Sequence, residues 1–97
     1  MTDEIQKKLI NDLGLSGLPA DKKDQLIMRM TETVLKRIFW ETMEKLNDKD
    51  QDEYSKMIDD NADPEKLEVF LKGKISNYEE MVKKTVDDFV AEMEGVN

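Results

Sequence analysis

An unbroken helical pattern between Pro19 and Asn47 constrains the fold more than any other feature of the sequence. Apolar residues recur there at intervals of three and four positions, which is the helical period, and no glycine interrupts them. Pro19 suits the first turn of a helix, where its missing amide hydrogen needs no partner. The pattern predicts one long helix over Pro19–Leu46, of roughly 26 residues and about 39 Å at 1.5 Å per residue.

The apolar stripe of this helix is wide. At 100° per residue, its centre and its flanks together cover more than half of the circumference. Several other helices are therefore expected to cover it, which predicts that it is the central element of a bundle. The centre of the stripe consists of Ile27, Met30, Val34 and Ile38, and its flanks consist of Met28, Leu35, Phe39 and Leu46.

Turn and capping residues divide the rest of the chain into shorter helices. The fold class is therefore all-α, a single domain over residues 1–97 built as a bundle of about five helices around one long central helix. Leu15 and Leu18 in the first loop are expected to fold back over the core. The predicted boundaries are about Asp3 to Leu13 followed by a left-handed Gly14, Asn47 or Asp48 to about Asp60, Asp63-Pro64 to about Gly73, and a capping box at Ser76-Asn77-Tyr78-Glu79 to Gly95.

Composition argues against several classes of function. The 97 residues include no cysteine and no histidine, which removes thiol catalysis, the usual zinc and copper ligands and the commonest general base. The sequence also contains no glycine-rich phosphate loop and no nucleotide-binding fingerprint. We therefore expect no enzyme activity, no catalytic residue and no cofactor.

Negative charge is concentrated in the second half of the chain. Residues 1–47 hold eight acidic and eight basic residues, whereas residues 48–63 hold seven acidic and two basic ones. The formal net charge of −8 disfavours direct binding of nucleic acid or of an anionic membrane surface. A partner that recognises charge is expected to meet the acidic half.

One acidic segment resembles the start of a calcium-binding loop. Asp48, Asp50 and Asp52 occupy positions 1, 3 and 5 of an EF-hand pattern, and Asp59 occupies position 12. Position 6 is Glu53 where the loop requires glycine, and Asp59 is shorter than the required glutamate. The acidic first turn of an ordinary helix accounts for the same residues, so these four aspartates are weak candidates for a metal site.

Asp59 and Asp60 stand at a predicted helix C-terminus. Negative charge is unfavourable there, because the helix dipole places partial negative charge at the same end. The conflict favours weak contact with a cation or with a basic partner at these two residues, whereas a frayed helix end followed by an N-cap accounts for Asn61 and Asp63 without a metal.

Trp40 is the residue most informative about binding. On a helical wheel it falls roughly 220° from Ile27, beside Arg29 and Lys36 and away from the apolar stripe. One interpretation is an exposed anchor for a partner protein, with Met43 near it, because tryptophan is enriched at interface hot spots. The other interpretation, which we favour, is that another helix of the same chain covers Trp40.

No segment predicts export or membrane insertion. The chain opens with polar residues rather than with a basic start and an apolar run. No apolar stretch approaches the roughly 20 residues of a membrane-spanning helix. These features predict a cytoplasmic protein.

Five short segments of the chain carry a further signal. They are Leu13-Gly14-Leu15, Leu18-Pro19, Lys22-Lys23-Asp24-Gln25-Leu26, Lys36-Arg37 within the long helix, and the run from Asp63 to Leu71. Their combination resembles a known family of small acidic helical proteins, a domain of unknown function from ultrasmall, uncultivated bacteria. The resemblance spans nearly the whole chain and implies the helical fold and a bacterial, cytosolic setting, but it carries no functional residue.

The preferred function is protein–protein interaction or a structural role. The chain would act either as a homodimer formed through the long helix or as an adaptor that presents an acidic surface to a basic partner. The expected interaction residues are Trp40, Met43, Asp59 and Asp60. Two alternatives stay open: a calcium-responsive protein that uses the Asp48–Asp59 segment, and an acidic mimic of nucleic acid that inhibits a DNA-binding protein.

Overall fold

The computed structural model describes residues 2–95, which form an all-α bundle without a strand among them. The predicted fold class is confirmed. None of the helices in this part of the chain combines the length and the apolar content of a membrane span. The helices are α1 (Thr2–Asp12), α2 (Ala20–Lys45), α3 (Asp48–Asp59), α4 (Pro64–Lys74) and α5 (Tyr78–Met93), with a short 3-10 helix at Leu15–Gly17.

Most predicted helix ends coincide with the signals that predicted them. Gly14 has a φ of 63° after α1, and Gly95 has a φ of 72° after α5, the left-handed conformation that glycine adopts without strain. The Asn47 side chain caps α3, because its Oδ1 accepts a hydrogen bond from the Asp50 amide at 2.8 Å. Pro64 begins α4 directly after Asp63, as expected.

The predicted capping box before α5 is wrong. The helix begins at Tyr78, and the residue before it, Asn77, makes no side-chain cap hydrogen bond. The late start places Ser76 outside the N-cap position that the box requires. Glu79, the other member of the box, binds the Lys72 ammonium at 2.7 Å instead, which ties α5 to α4.

The core lies where α1, α2 and α5 meet and extends to the end of α4. Leu9 and Val34 are fully buried, which marks the contact between α1 and α2 as its centre. The buried stripe of α2 is narrower than predicted: Met28 and Phe39 are exposed, while Thr31 and Thr42 are buried. In the first loop Leu15 is buried as expected, but Leu18 is exposed.

The bundle is a flat slab of 44 × 29 × 15 Å, measured between Cα atoms. Two packed helices span about 13–15 Å, since their axes lie 8–10 Å apart and each helix is about 4.6 Å wide at Cα. The slab is therefore two helices thick, and each of its helices has a side without a neighbour. The long helix α2 packs against α1 and α5 and leaves its opposite side open.

Candidate interaction surface

The side of α2 that faces away from α1 and α5 is the largest structural feature that the core does not explain. The buried residues of α2, including Ile27 and Ile38, share one side of the helix. At 100° per residue, Arg29 and Trp40 fall within about 20° of the opposite side. We call the exposed residues there the outward face of α2; they are Lys22, Arg29, Thr33, Lys36 and Trp40.

Trp40 is 66% exposed, so the interpretation that another helix covers it is wrong. Helices α1 and α5 pack on other sides of α2. Met43, the second predicted anchor on α2, is half-buried and packs against the core. Of the two predicted anchors, Trp40 is the one available to a partner.

A row of four aromatic rings connects Trp40 to α3 and α4. The Trp40 ring lies edge-on to Phe39 with the centroids 5.9 Å apart. The ring centroids of Phe39 and Tyr54 lie 6.4 Å apart, and Tyr54 stacks on Phe70 with the ring centroids 6.3 Å apart. Such pairs contribute about 0.5–1.5 kcal/mol beyond the area that they bury. The row packs α2, α3 and α4 against one another, and the Trp40 ring lies at its exposed end.

The α2–α3 turn fixes this aromatic row. The Gln51 side-chain amide donates to the Met43 carbonyl at 2.7 Å and to the Leu46 carbonyl at 3.1 Å. The Met43 carbonyl lies in the last turn of α2, where it also accepts a hydrogen bond from the Leu46 amide at 3.3 Å, and the Leu46 carbonyl belongs to the residue that follows the helix. Burial raises the pKa of Tyr54, so its hydroxyl stays neutral. Sequence reasoning missed the row because nothing in the spacing of these residues shows the angle at which α3 leaves α2.

Three cations follow one another along the outward face. Lys22, Arg29 and Lys36 are seven residues apart, so they fall on nearly the same side of α2 at intervals of about 10.5 Å. All three are exposed, and none takes part in an ion pair within the part of the chain that the structure describes. We call them the basic stripe.

Arg37, the neighbour of Lys36, has a different role. Its guanidinium pairs with the Glu92 carboxylate and lies 5.3 Å from the centroid of the Phe89 ring. These contacts are a salt bridge and a cation–π interaction between α2 and α5. Arg37 therefore belongs to the packing of the bundle, whereas the basic stripe does not.

The acidic candidates are spread along α3 rather than gathered. Asp48, Asp52 and Asp59 are exposed on the outer side of the helix, while Asp50 lies on the inner side and pairs with the Lys74 ammonium at 3.5 Å. Among residues 2–95, no three carboxylates come close enough to hold a metal ion. The helix replaces the loop that an EF-hand needs.

Asp59 and Asp60 lie at the end of α3 that is remote from the α2–α3 turn, and both are exposed. Asn61 follows with a φ of 56° and reverses the chain toward α4. The two aspartates therefore do not join Trp40 in one surface patch, and the four predicted interaction residues fall into separate regions.

A shallow groove between α1, α4 and α5 is one of several concave features of the surface. Its volume is about 400 Å³, with Tyr78 at its base and Lys8, Glu68 and Glu79 at its rim. Hydrogen bonds to Asp12 and then Asp87 raise the pKa of Lys8, and the hydrogen bond from Lys72 lowers the pKa of Glu79. Because exposed pairs of this kind contribute about 0–1 kcal/mol, the rim connects helices and offers no strongly perturbed reactive group.

The chain matches a family described as a protein of unknown function (DUF5663) over residues 9–93. It belongs to this family. The matched region of the DUF5663 protein includes α2 to α5 in full, and so contains the outward face and the aromatic row. No curated protein and no solved structure matches the chain, so the residues themselves carry the functional argument.

Proposed function

We propose that this DUF5663 protein is a protein–protein interaction module that docks its partner on the outward face of α2. The proposal rests on the exposure of Trp40, whose side chain is largely open to solvent and whose ring packs edge-on against Phe39. An aromatic side chain that is restrained before binding loses little conformational entropy when a partner covers it. Tryptophan is also among the residues most enriched at interface hot spots.

The surroundings of Trp40 suit docking rather than chemistry. The aromatic row adjoins Trp40 on one side, and Lys36 and Arg29 continue the outward face on the other. Long basic side chains present apolar stems as well as charge, so the face offers both contact area and a positive potential. We extend the proposal to a bacterial cytoplasm, which the resemblance to proteins of ultrasmall, uncultivated bacteria supports.

The other hypotheses of the sequence remain predictions. A calcium-responsive protein would need Asp48, Asp50, Asp52 and Asp59 around one ion, and a nucleic-acid mimic would need a regular array of carboxylates. No arrangement of the described residues favours either hypothesis over docking at Trp40.

Site-specific photo-crosslinking tests the proposal. Trp40 is replaced by the photoreactive p-benzoylphenylalanine in the full chain, and the purified protein is irradiated alone and in a lysate of the organism that encodes it. The matched control carries the same group at Val69, which is 70% exposed on α4. We expect a protein adduct of discrete mass from position 40 and none from position 69. The absence of an adduct at position 40, or equal adducts from both positions, would contradict the proposal.

A further inference from the structure

We infer that the partner on the outward face of α2 is a second copy of this chain, whose α3 lies along the basic stripe. The inference rests on the proposed function and names the occupant of the same surface. It is carried by three observations: uncompensated positive charge on α2, a matching negative stripe on α3, and a surplus of exposed surface.

The basic stripe is an exception in an acidic protein. The net charge is −8, yet the acidic residue nearest to the stripe, Glu32, falls about 40° from Lys36 and 60° from Arg29 and makes no ion pair with either among residues 2–95. Cations that repeat along one side of a helix without a partner are suited to a partner that supplies carboxylates. The occupant of this face is therefore expected to be acidic.

The outer side of α3 provides such carboxylates, and one pair of them has the same spacing. Asp48, Asp52 and Asp59 lie within about 40° of one another on that helix, and we call them the acidic stripe. Asp52 and Asp59 are separated by about 10.5 Å along the axis, which equals the separation of Arg29 from Lys36. Asp48, Asp52 and Asp59 make no ion pair within residues 2–95. Each copy thus carries both halves of a complementary pair.

The exposed surface of the chain is larger than a compact monomer requires. Its accessible surface is 6896 Å², whereas a monomer of 11.3 kDa is expected to expose about 5,700 Å². The radius of gyration of 14.9 Å likewise exceeds the roughly 12.5 Å expected for a compact chain of this length. The excess of about 1,200 Å² is more than the roughly 800 Å² that one partner buries in a standard interface.

The like net charge of two copies does not prevent this contact. At physiological ionic strength the Debye length is about 8 Å, so charges on the far sides of the two slabs are screened from each other. The charges that face each other across the contact are of opposite sign, and they act over shorter distances. Local complementarity therefore outweighs the overall repulsion.

Charge reversal tests the pairing of the two stripes. The solution mass is measured by size-exclusion chromatography with light scattering, from 1 to 200 µM, for the native chain and three variants. One carries Arg29→Glu with Lys36→Glu, one carries Asp52→Lys with Asp59→Lys, and one carries all four changes. The control carries Lys66→Glu with Lys83→Glu, which changes net charge by the same amount at exposed lysines outside α2. Circular dichroism checks that each variant keeps its helical content.

We expect the native chain and the control to reach twice 11.3 kDa. Either reversal alone should weaken association at least tenfold, and the fourfold variant should restore it, since the charges have then exchanged places. A native chain that stays monomeric at 200 µM would overturn the inference. So would two single reversals that associate as the native chain does. In either case a position-40 adduct to a different protein would leave the proposed function standing, whereas its absence would remove both.

Discussion

At the scale of single residues, two buried threonines on α2 stand out because their side-chain hydroxyls lack hydrogen bonds. Thr31 and Thr42 are almost fully buried, and their hydroxyls have no hydrogen-bond partner among the described residues. A buried hydroxyl without a partner retains its desolvation cost of about 1–3 kcal/mol. Thr85 on α5 is different, because its hydroxyl lies 2.7 Å from Glu41 Oε2 and 3.0 Å from the Met81 carbonyl.

We predict that Thr42→Val stabilises the protein. The substitution keeps the shape of the side chain and removes an unpaired hydroxyl, so the free energy of unfolding should rise by about 1 kcal/mol. Thr85→Val is the matched control and should lower it by about 1 kcal/mol, because it removes a hydrogen bond that is made. Urea unfolding followed by circular dichroism measures both. A loss of stability in Thr42→Val would show that its hydroxyl is satisfied in solution.

A second prediction at this scale concerns alkaline pH. Burial, followed by the charges of nearby groups, raises the pKa of Tyr78 to about 12. An unfolded chain loses the tyrosine proton near pH 10, so between pH 10 and 12 the folded chain binds more protons than the unfolded one. The contribution of Tyr78 to the free energy of unfolding is therefore fully present below pH 10, and the free energy of unfolding falls by about 2–3 kcal/mol as the pH rises to 12.

The Tyr78→Phe variant isolates this effect. It cannot ionise at position 78, whereas the lysines that lose charge in the same range are common to both proteins. The free energy of unfolding of the native chain should fall more steeply than that of the variant between pH 10 and 12. Parallel curves in urea titrations at pH 9, 10, 11 and 12 would contradict the assigned burial of Tyr78.

At the scale of elements, the ends of the helices differ in how firmly they are fixed. Asn47 caps α3 through its side chain, whereas Asn77 precedes α5 without such a bond. Because α3 carries Tyr54, which contacts both Phe39 and Phe70, loss of the Asn47 cap also weakens the aromatic row. The two asparagines form a natural pair for comparison.

We predict that Asn47→Ala lowers the free energy of unfolding by about 1 kcal/mol, the usual cost of losing an N-cap side chain. Asn77→Ala should change it by less than about 0.5 kcal/mol, as a surface substitution without a lost bond does. Thermal unfolding of both variants gives the comparison. Equal destabilisation by the two changes would show that the observed Asn47 bond does not stabilise α3.

Local sequence signals predicted well where the helices begin and end, but the sequence did not predict how the helices pack against one another. Pro19, Gly14 and the Asp63-Pro64 pair act on neighbouring backbone, so their effects can be read from the sequence. The exposure of Trp40 depends on how the helices pack, and the Gln51 bonds at the α2–α3 turn join a side chain to backbone carbonyls, which the pattern of apolar residues does not show. Sequence reasoning identified Trp40 as a candidate but favoured the wrong environment for it.

At the scale of the whole molecule, the flat shape accounts for the proposed activity. A slab two helices thick cannot surround its longest helix, so one side of α2 stays open over much of its length. Positive and negative charges also lie on different helices, since the basic stripe is on α2 and the acidic stripe is on α3. A small chain with an open helix face and opposite charges on two surfaces is suited to association.

The fluorescence of Trp40, the only tryptophan in the chain, tests most directly whether the outward face of α2 is a docking surface. Emission and acrylamide quenching are recorded for the native chain from 0.1 to 200 µM, and for the Arg29→Glu, Lys36→Glu variant over the same range. At the lowest concentration we predict a water-exposed Trp40 in both proteins. At the highest concentration only the native chain should show a blue shift and protection from acrylamide, and the variant should show neither. A tryptophan protected at every concentration in both the native chain and the variant would mean that the chain buries Trp40 itself, and would contradict the account.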